Sequence, residues 1–552
     1  MRFSLHIMKK QLLAATAIAA TALAGSGQSA IDAFSISQGD LRGTARFMSM
    51  GGAFGALGGD LSVLNQNPGG LGVYRSSEVG VTVDFDFMHF STNTLGTRQT
   101  GNKTKVACNN FGYIGSIYTG SETMPFINFG ATFSRSQQFN RVYAGRNNSM
   151  QGSFSNYIAG ATSANSSGYA GWSQAELTDY SENYNPYVQS NAPWMSVLAY
   201  NSYLINPTTN ADGSFSDSNS YKGLWQDNSS GYSTFETQES GYVDEYNLDF
   251  GGNVMDMLYW GLGFGITDIK YTANTYYTED IDNARIPNYG GDGVETGTAG
   301  YDLDSWKHIT GSGFNFKMGV IVKPINELRF GLAVHTPTYC NLTQQSWARV
   351  AYDYSSGYSN YTETNNGWNY EIDYKLRTPW RLIASAATVI GGQGILSVDY
   401  EYRPYQNMSV RNTRNDAYEY MNSDIKDYYQ ASNIIRVGAE YRLNRHLSLR
   451  AGFSYESSPT TVYARDGRND VYTEGPQDCG TMPSFVMDKS TTYITAGLGY
   501  RYQSFYADLA YVNRNRSALY QPYTANDYTA MPTQSKISNT DNQLVVSLGI
   551  KF

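Results

Sequence analysis

Apolar and polar residues alternate along much of the chain, most plainly at its end. Leu544, Val546, Leu548, Ile550 and Phe552 share one face of an extended segment, while Gln543, Val545, Ser547, Gly549 and Lys551 share the other. A period of two sustained over about ten residues is the length and pattern of a membrane-spanning β-strand. The same pattern recurs upstream. Ile494, Ala496, Leu498, Tyr500 and Tyr502 lie on one face, and Phe505, Ala507, Leu509 and Tyr511 follow after a tight turn. Ile435, Val437, Ala439, Tyr441 and Leu443 are answered by Leu447, Leu449, Ala451, Phe453 and Tyr455 across Asn444 to His446. Phe314, Phe316, Met318, Val320 and Val322 lead through Pro324-Ile325-Asn326 into Leu328, Phe330, Leu332 and Val334.

Such runs predict fourteen strands, near 78–90, 110–119, 125–138, 243–255, 258–274, 307–323, 327–341, 367–390, 395–407, 430–443, 447–459, 490–502, 505–516 and 542–552. Their connections sort by parity. After even-numbered strands they are short: 120–124, 256–257, 324–326, 391–394, 444–446 and 503–504. After odd-numbered strands they are long: 91–109, 139–242, 275–306, 342–366, 408–429, 460–489 and 517–541. A soluble sandwich has no reason to sort its loops this way. A barrel with periplasmic turns and extracellular loops does. The expectation is an all-β, fourteen-stranded antiparallel transmembrane barrel over 78–552, with 139–242 as its largest extracellular loop.

Composition narrows the choice further. Charged residues are 16% of the 552, against roughly 25% in soluble domains. Past the N-terminus no run of about 18 apolar residues exists, so transmembrane helices are excluded. A barrel wall with lipid outside and water inside needs only alternate apolar residues, which explains the low hydrophobicity. Tyr441, Tyr455, Tyr500, Tyr502 and Tyr511 sit near strand ends, where interfacial girdles form. An acidic balance of −9 with no basic tract excludes nucleic acid as a partner.

The chain opens with a leader. Met8-Lys9-Lys10 gives a basic start, Gln11 to Ala24 an apolar stretch, and Ala22-Leu23-Ala24 a small-residue cleavage site. Residues 1–24 therefore read as a signal peptide, and losing Arg2, Lys9 and Lys10 takes the net charge from −9 to −12. Cys108, Cys340 and Cys479 have neither CxxC spacing nor a His cluster, so no metal site or cofactor is expected; one pair could bridge, in any of three ways.

Residues 25–77 do not alternate. They contain Leu41-Arg42-Gly43-Thr44-Ala45-Arg46-Phe47-Met48, then the glycine-rich Gly51 to Asp60, and close on Asn65-Gln66-Asn67-Pro68-Gly69. Small residues allow close backbone packing, and Phe47, Met48, Met50 and Phe54 supply apolar contacts. A barrel of this size leaves an interior too wide for wall side chains to fill, so the segment is expected inside it as a plug. The glycine run lacks the preceding strand and the Lys-Ser/Thr of a phosphate loop.

The leader, the glycine-rich segment ending at Asn67-Pro68-Gly69, the run Gly313-Phe314-Asn315-Phe316 in the sixth strand and the terminal Phe552 together resemble the FadL/TodX family of outer-membrane transport proteins. The glycine-rich stretch is most similar to versions found in Bacteroidetes. Family hatches carry Asn-Pro-Ala, and here Gly69 takes the third place. The resemblance implies that residues 25–77 form a hatch, with Phe47, Met48, Met50, Phe54, Asn67, Pro68 and Gly69 at the gate. It also implies uptake of long-chain fatty acids or other hydrophobic molecules across the outer membrane of a Gram-negative bacterium. Cargo is implied to bind at an extracellular groove and then beside the hatch. Exit is implied sideways, at the third strand around Phe126 to Phe139. Lipopolysaccharide would surround the barrel, and Phe552 would engage the barrel-assembly machinery.

Three local features carry candidate chemistry. In the longest connection, Asn191-Ala192-Pro193 precedes a helical run in which Trp194, Val197, Leu198 and Leu204 share a face, either as a groove for cargo or as packing. The inward-facing cations Arg436, Arg450, Arg501, Arg329 and Lys317 are candidates to meet a cargo carboxylate; Arg450 is expected to pair with Glu440 across the hairpin, whereas Arg436 has no such partner there and is the better candidate. Thr378-Pro379-Trp380 should interrupt the eighth strand, since proline cannot donate to the ladder. No catalytic constellation emerges, because His308 and His335 have opposite strand parity and face opposite sides of the wall. The alternatives to a transporter are a surface receptor or adhesin anchored by the barrel, and a general porin, which the plug disfavours.

Overall fold

The computed structural model describes residues 29–164, 170–178, 184–290, 292–465, 479–482, 485–525 and 529–552. The expected signal peptide, 1–24, lies outside the described residues. The wall is a closed antiparallel barrel of 14 strands, several of them interrupted. In chain order they are β1 (Glu78–Thr94), β2 (Thr97–Tyr118), β3 (Phe126–Phe139 and Val142–Asn147), β4 (Ser230–Val254) and β5 (Leu258–Pro287). Next come β6 (Val294–Ile325), β7 (Leu328–His335 and Tyr339–Tyr354), β8 (Tyr370–Arg377 and Arg381–Ile390) and β9 (Gly394–Pro404 and Ser409–Asn412). The last are β10 (Ala431–Arg442), β11 (Leu447–Glu456), β12 (Phe485–Tyr502), β13 (Phe505–Gln521) and β14 (Ser535–Lys551). The ring closes where β14 pairs with β1, from Glu78 opposite Lys551 to Asn93 opposite Lys536. At that seam Ser77 and Phe552 exchange backbone hydrogen bonds of 2.9 and 3.0 Å.

Alternation places each side chain. Val79, Val81, Phe85, Phe314, Phe316, Leu498 and Leu548 are exposed on the outer face, within an apolar belt that runs round the ring. The girdle tyrosines Tyr441, Tyr455, Tyr500, Tyr502 and Tyr511 are exposed with it. Inward positions are polar and buried: Asp84, Asp86, Asn128, Glu245, Asp249, Lys317, Glu401 and Asp541. No described helix is long and apolar enough to cross a membrane.

The six short turns stand within two residues of their expected places. The opposite end departs from expectation. Residues 91–109, expected as a loop, are strand except at Leu95-Gly96, where both φ angles are positive as a two-residue hairpin turn requires. Residues 275–306 are likewise almost all strand. The physical reason is that β5 and β6 project beyond the apolar belt. There the outward residues are polar, as at Asp280, Asp282, Asp302 and Asp304, so the apolar–polar contrast disappears while the ladder continues.

At the long-loop end a helical cap covers the lumen. It contains α3 (Phe154–Thr162) and α4 (Trp194–Asn201), packed with Tyr277, Tyr301, Tyr354, Tyr520 and their neighbours into one buried cluster. Below it the N-terminal segment packs on the inward faces of the wall strands. It comprises α1 (Ala30–Ser37), α2 (Ala45–Ser49) and two 3-10 turns, Leu61–Asn65 and Pro68–Val73. Cys108, Cys340 and Cys479 form no disulfide.

Candidate transport site

The N-terminal segment meets the wall in two chemically different ways. Around Pro68–Val73 the contact is backbone on backbone. Asn67 starts that turn by accepting the Gly69 N–H at 3.0 Å, and its amide donates to the Gly55 carbonyl at 2.6 Å and to Val320 at 3.3 Å. A Cβ at Gly69 would stand 2.9 Å from the Gly319 backbone, and one at Gly319 would stand 1.9 Å from the Asn67 side chain. The alanine of the related motif would therefore crowd β6, which accounts for glycine at position 69. Phe47, Met48, Met50 and Phe54 are buried in a cluster with the inward residues Ile114, Ala387, Tyr493, Ala510, Val512 and Val545.

Elsewhere the contact is ionic. Arg42 donates to Asp84 at 2.6 Å and Asn109 at 2.9 Å, and lies 3.3 Å from Asp86. Arg514 bonds Asp40 at 2.6 Å and also pairs with Asp541. Arg46 reaches Glu440 at 3.0 Å, and Lys307 reaches Asp32 at 2.5 Å. Each of these side chains is largely removed from water, where an ion pair is screened far less than at a surface. None of the N-terminal partners Asp32, Asp40 and Arg42 was singled out from sequence. Asp84 and Asp86 were legible as lumenal acids from their parity, but nothing local revealed which segment would neutralise them.

The wall residues separate into met and altered expectations. Glu440 stands opposite Arg450, and Nε donates to the carboxylate at 2.7 Å, as the hairpin register required. Arg436 has no partner in that hairpin, yet across the other edge it donates to Glu401 at 2.8 Å. Glu401 also accepts from Arg381 and Arg403, each at 2.6 Å. Trp194, Val197 and Leu198 are buried inside the cap cluster, with the Trp194 indole N–H donating to the Tyr187 carbonyl at 2.9 Å. In this conformation they face the cap interior and line no open groove. Thr378-Pro379-Trp380 does interrupt β8, beside a matching break at Thr336-Pro337-Thr338 in β7. His335 is buried against the Gln66 carbonyl at 3.0 Å, while His308 lies on the outer face beside Trp306.

The third strand is where the wall is least continuous. β2 and β3 pair from Tyr118 opposite Phe126 up to Asn110 opposite Ser134. Beyond that, among the described residues, β2 pairs only with β1 and β3 only with β4. The β2–β3 ladder ends at Ser134, two residues before a bulge in the β3–β4 ladder at Ser136, whose carbonyl accepts the Asp40 N–H at 3.0 Å. An unpaired stretch of two facing strands is rare in a closed barrel, whose closure otherwise removes every edge.

In the cap, beyond the apolar belt, Glu279 is fully buried. It accepts the Phe154 N–H at 2.9 Å and the Tyr277 hydroxyl at 2.7 Å, and it also bonds Ser153. Burial pushes its carboxyl above the usual range, while the hydrogen bonds from α3 and Tyr277 act the other way. Among the described residues no cluster of three His, Cys, Asp or Glu could hold a metal ion.

A closed fourteen-stranded barrel with an outward apolar belt, on whose inward faces the chain's own N-terminal segment packs, defines the class. Neither a family model nor a curated protein sequence matches the chain. It is similar to the crystal structure of a Pseudomonas aeruginosa FadL homologue, at 12% identity and a TM-score of 0.51, over 94% of this chain and 100% of that one. The P. putida toluene transporter TodX (13% identity, TM-score 0.46) is matched over 93% of this chain and 99% of its own. The Ralstonia pickettii toluene transporter TbuX (13%, 0.43) is matched over the same shares. The first likeness shows the fold alone: the chain shares the fourteen-stranded barrel architecture of that FadL homologue.

Proposed function

We propose that this protein takes up hydrophobic compounds through the outer membrane of a Gram-negative bacterium, long-chain fatty acids being the leading cargo. Residues 25–77 act as the hatch. The observation that carries this reading is the pairing of a filled lumen with an unladdered stretch of wall at β3, where the segment's own Asp40 is docked. A water-filled porin requires neither. Apolar cargo needs both, because it must cross a closed passage and can leave directly into lipid. The outward apolar belt supports a membrane site, and the tight turns at one end support its placement on the periplasmic side. The cap, with Trp194, Val197 and Leu198, must then loosen before cargo enters. Arg436 shares Glu401 with Arg381 and Arg403, so it belongs to a group of three cations on one carboxylate. That group is where an acidic cargo head would be received.

The test is uptake of radiolabelled oleate and toluene by cells displaying the full chain or a form lacking residues 25–64. Altered uptake of either compound in the deletion, with equal surface display, supports a hatch. Identical uptake by both forms and by cells without the protein refutes transport.

A further inference from the structure

A groove of about 790 Å³ is set into the outer face of the wall, over the seam where β14 meets β1. That is within the range of small-molecule sites, about 300–1,000 Å³. Cross-strand register builds it. At the seam the outward residues are aliphatic: Val79 stands opposite Ile550, and Val81 opposite Leu548. On the β13 side Leu548 meets the small side chain of Ala507, and Phe505, Tyr500 and Tyr502 rise around it. On the β2 side Tyr113 follows Val79 and Phe111 follows Val81. Low side chains thus form a floor, and large rings form its two walls. From β13 to β2 is three strand spacings, or about 14 Å. The rings are not packed away: Tyr500, Tyr502 and Phe111 are 50%, 52% and 49% exposed.

The groove ends at the tight-turn rim of the barrel. His446, in the turn between β10 and β11, stands there with its ring centroid 6.1 Å from Tyr500 and 5.9 Å from Tyr502. Its Nδ1 is 2.8 Å from the Arg501 carbonyl. A carbonyl oxygen only accepts, so Nδ1 carries the proton and Nε2 of the neutral ring keeps its lone pair. The side chain is exposed, so that lone pair faces the rim. A lone pair and the faces of two tyrosines all attract an ammonium group. Arg445, exposed in the same turn, offers the opposite sign.

The floor is continuous with the apolar belt, so the bilayer is what covers it. Within hydrocarbon the hydrophobic effect holds nothing in place, and a resident molecule is retained by packing and by its head group. We propose that the groove is a binding site for one phosphatidylethanolamine of the periplasmic leaflet. Its chains lie on Ala507, Leu548 and Val81 between the aromatic walls. Its ammonium donates to Nε2 of His446 beside Tyr500 and Tyr502, and its phosphate faces Arg445. So placed, the lipid touches β13, β14, β1 and β2, and it braces from outside the ladder that closes the ring. A second convex barrel does not reach a floor recessed between rings, whereas a flexible chain does. The site rests on the barrel lying in an outer membrane with its tight turns periplasmic, and not on transport.

The experiment is native mass spectrometry of the purified full-length protein, titrated in detergent with dioleoyl phosphatidylethanolamine or with dioleoyl phosphatidylglycerol, which has the same chains and phosphate but no ammonium. One phosphatidylethanolamine is expected to bind about tenfold more tightly than phosphatidylglycerol. Ala507→Trp fills the floor and should weaken its binding about tenfold, while Val398→Trp, the same ring on the exposed face of β9, should leave it unchanged. His446→Phe keeps an aromatic ring without the lone pair and should bring the two lipids within about twofold of each other. Equal binding of the two lipids by the native chain overturns the proposal, as does undiminished binding to Ala507→Trp or an equal loss in Val398→Trp. A dimer that Ala507→Trp dissolves would assign the groove to a second copy and overturn it too. Failure of oleate and toluene uptake, with phosphatidylethanolamine still selected, would overturn transport and leave this site standing.

Discussion

Replacing Arg42 with Met should undock the N-terminal segment while leaving the wall closed. The guanidinium is removed from water, with Asp84 at 2.6 Å, Asp86 at 3.3 Å and Asp40 at 3.7 Å. Methionine matches its stem but leaves two wall carboxylates buried without a cation. Breaking a buried ion pair by removing one partner costs about 3–5 kcal/mol, most of it from the stranded charge. On the docking equilibrium that is roughly a hundred- to several-thousand-fold. Asp84 and Asp86 belong to β1, which keeps its ladders to β2 and β14, so the ring should survive. Hydrogen exchange across residues 40–50 reads the docked state, and thermal unfolding of the barrel reads the wall. A triple variant, Arg42→Met with Asp84→Asn and Asp86→Asn, removes the stranded charges and should regain most of the lost protection. Less than a tenfold change in the single variant, or no recovery in the triple, would show that the ion pairs do not hold the segment.

Gly319→Ala sets a methyl 1.9 Å from the Asn67 side chain; it should cost about 1–3 kcal/mol by overpacking, seen as a lower unfolding temperature. Trp194→Ala should open the cap rather than alter a groove, since the ring is buried against Tyr187 and Tyr370; truncating a buried Trp costs about 3–5 kcal/mol, and limited proteolysis within 150–226 should accelerate. For Glu279, burial raises the carboxyl pKa in the closed cap, so the closed state binds its proton more tightly than an opened one. The cap's stability is then fully present below the ordinary glutamate range and falls as pH rises through the raised value. Glu279→Gln should remove that dependence, and a variant whose cap opens with the native pH profile would contradict it.

The wall was legible from sequence wherever one face meets lipid. Phe314 to Val322 and Leu544 to Phe552 declare their strands because outward residues are apolar and inward ones are not. The signal fails above the belt, where Asp302 and Asp304 face water outside while Tyr301 and Leu303 are covered by the cap. Both faces then break the simple code, and strands read as loops. The candidate site was legible in part. Asn67, Pro68 and Gly69 were marked by the family resemblance, and Glu440 with Arg450 by register. Asp32, Arg42 and Glu401 did not, because their partners lie in distant segments joined only by the closed ring. The helix at Trp194 was recognised, but its exposure depends on what packs over it, which no local pattern records.

The seam between β1 and β14 bears on how the barrel is assembled. β1 cannot gain its second neighbour until the last strand has been delivered, so the ring stays open through most of its construction. The N-terminal segment is joined directly to β1 and is present throughout. Its polar groups meet partners in an order set by the chain: Arg42 finds Asp84 42 residues on, while Asp40 waits for Arg514 474 residues away. A body that offers matching charges to early and late strands alike therefore ties the first and last parts of the ring to one segment.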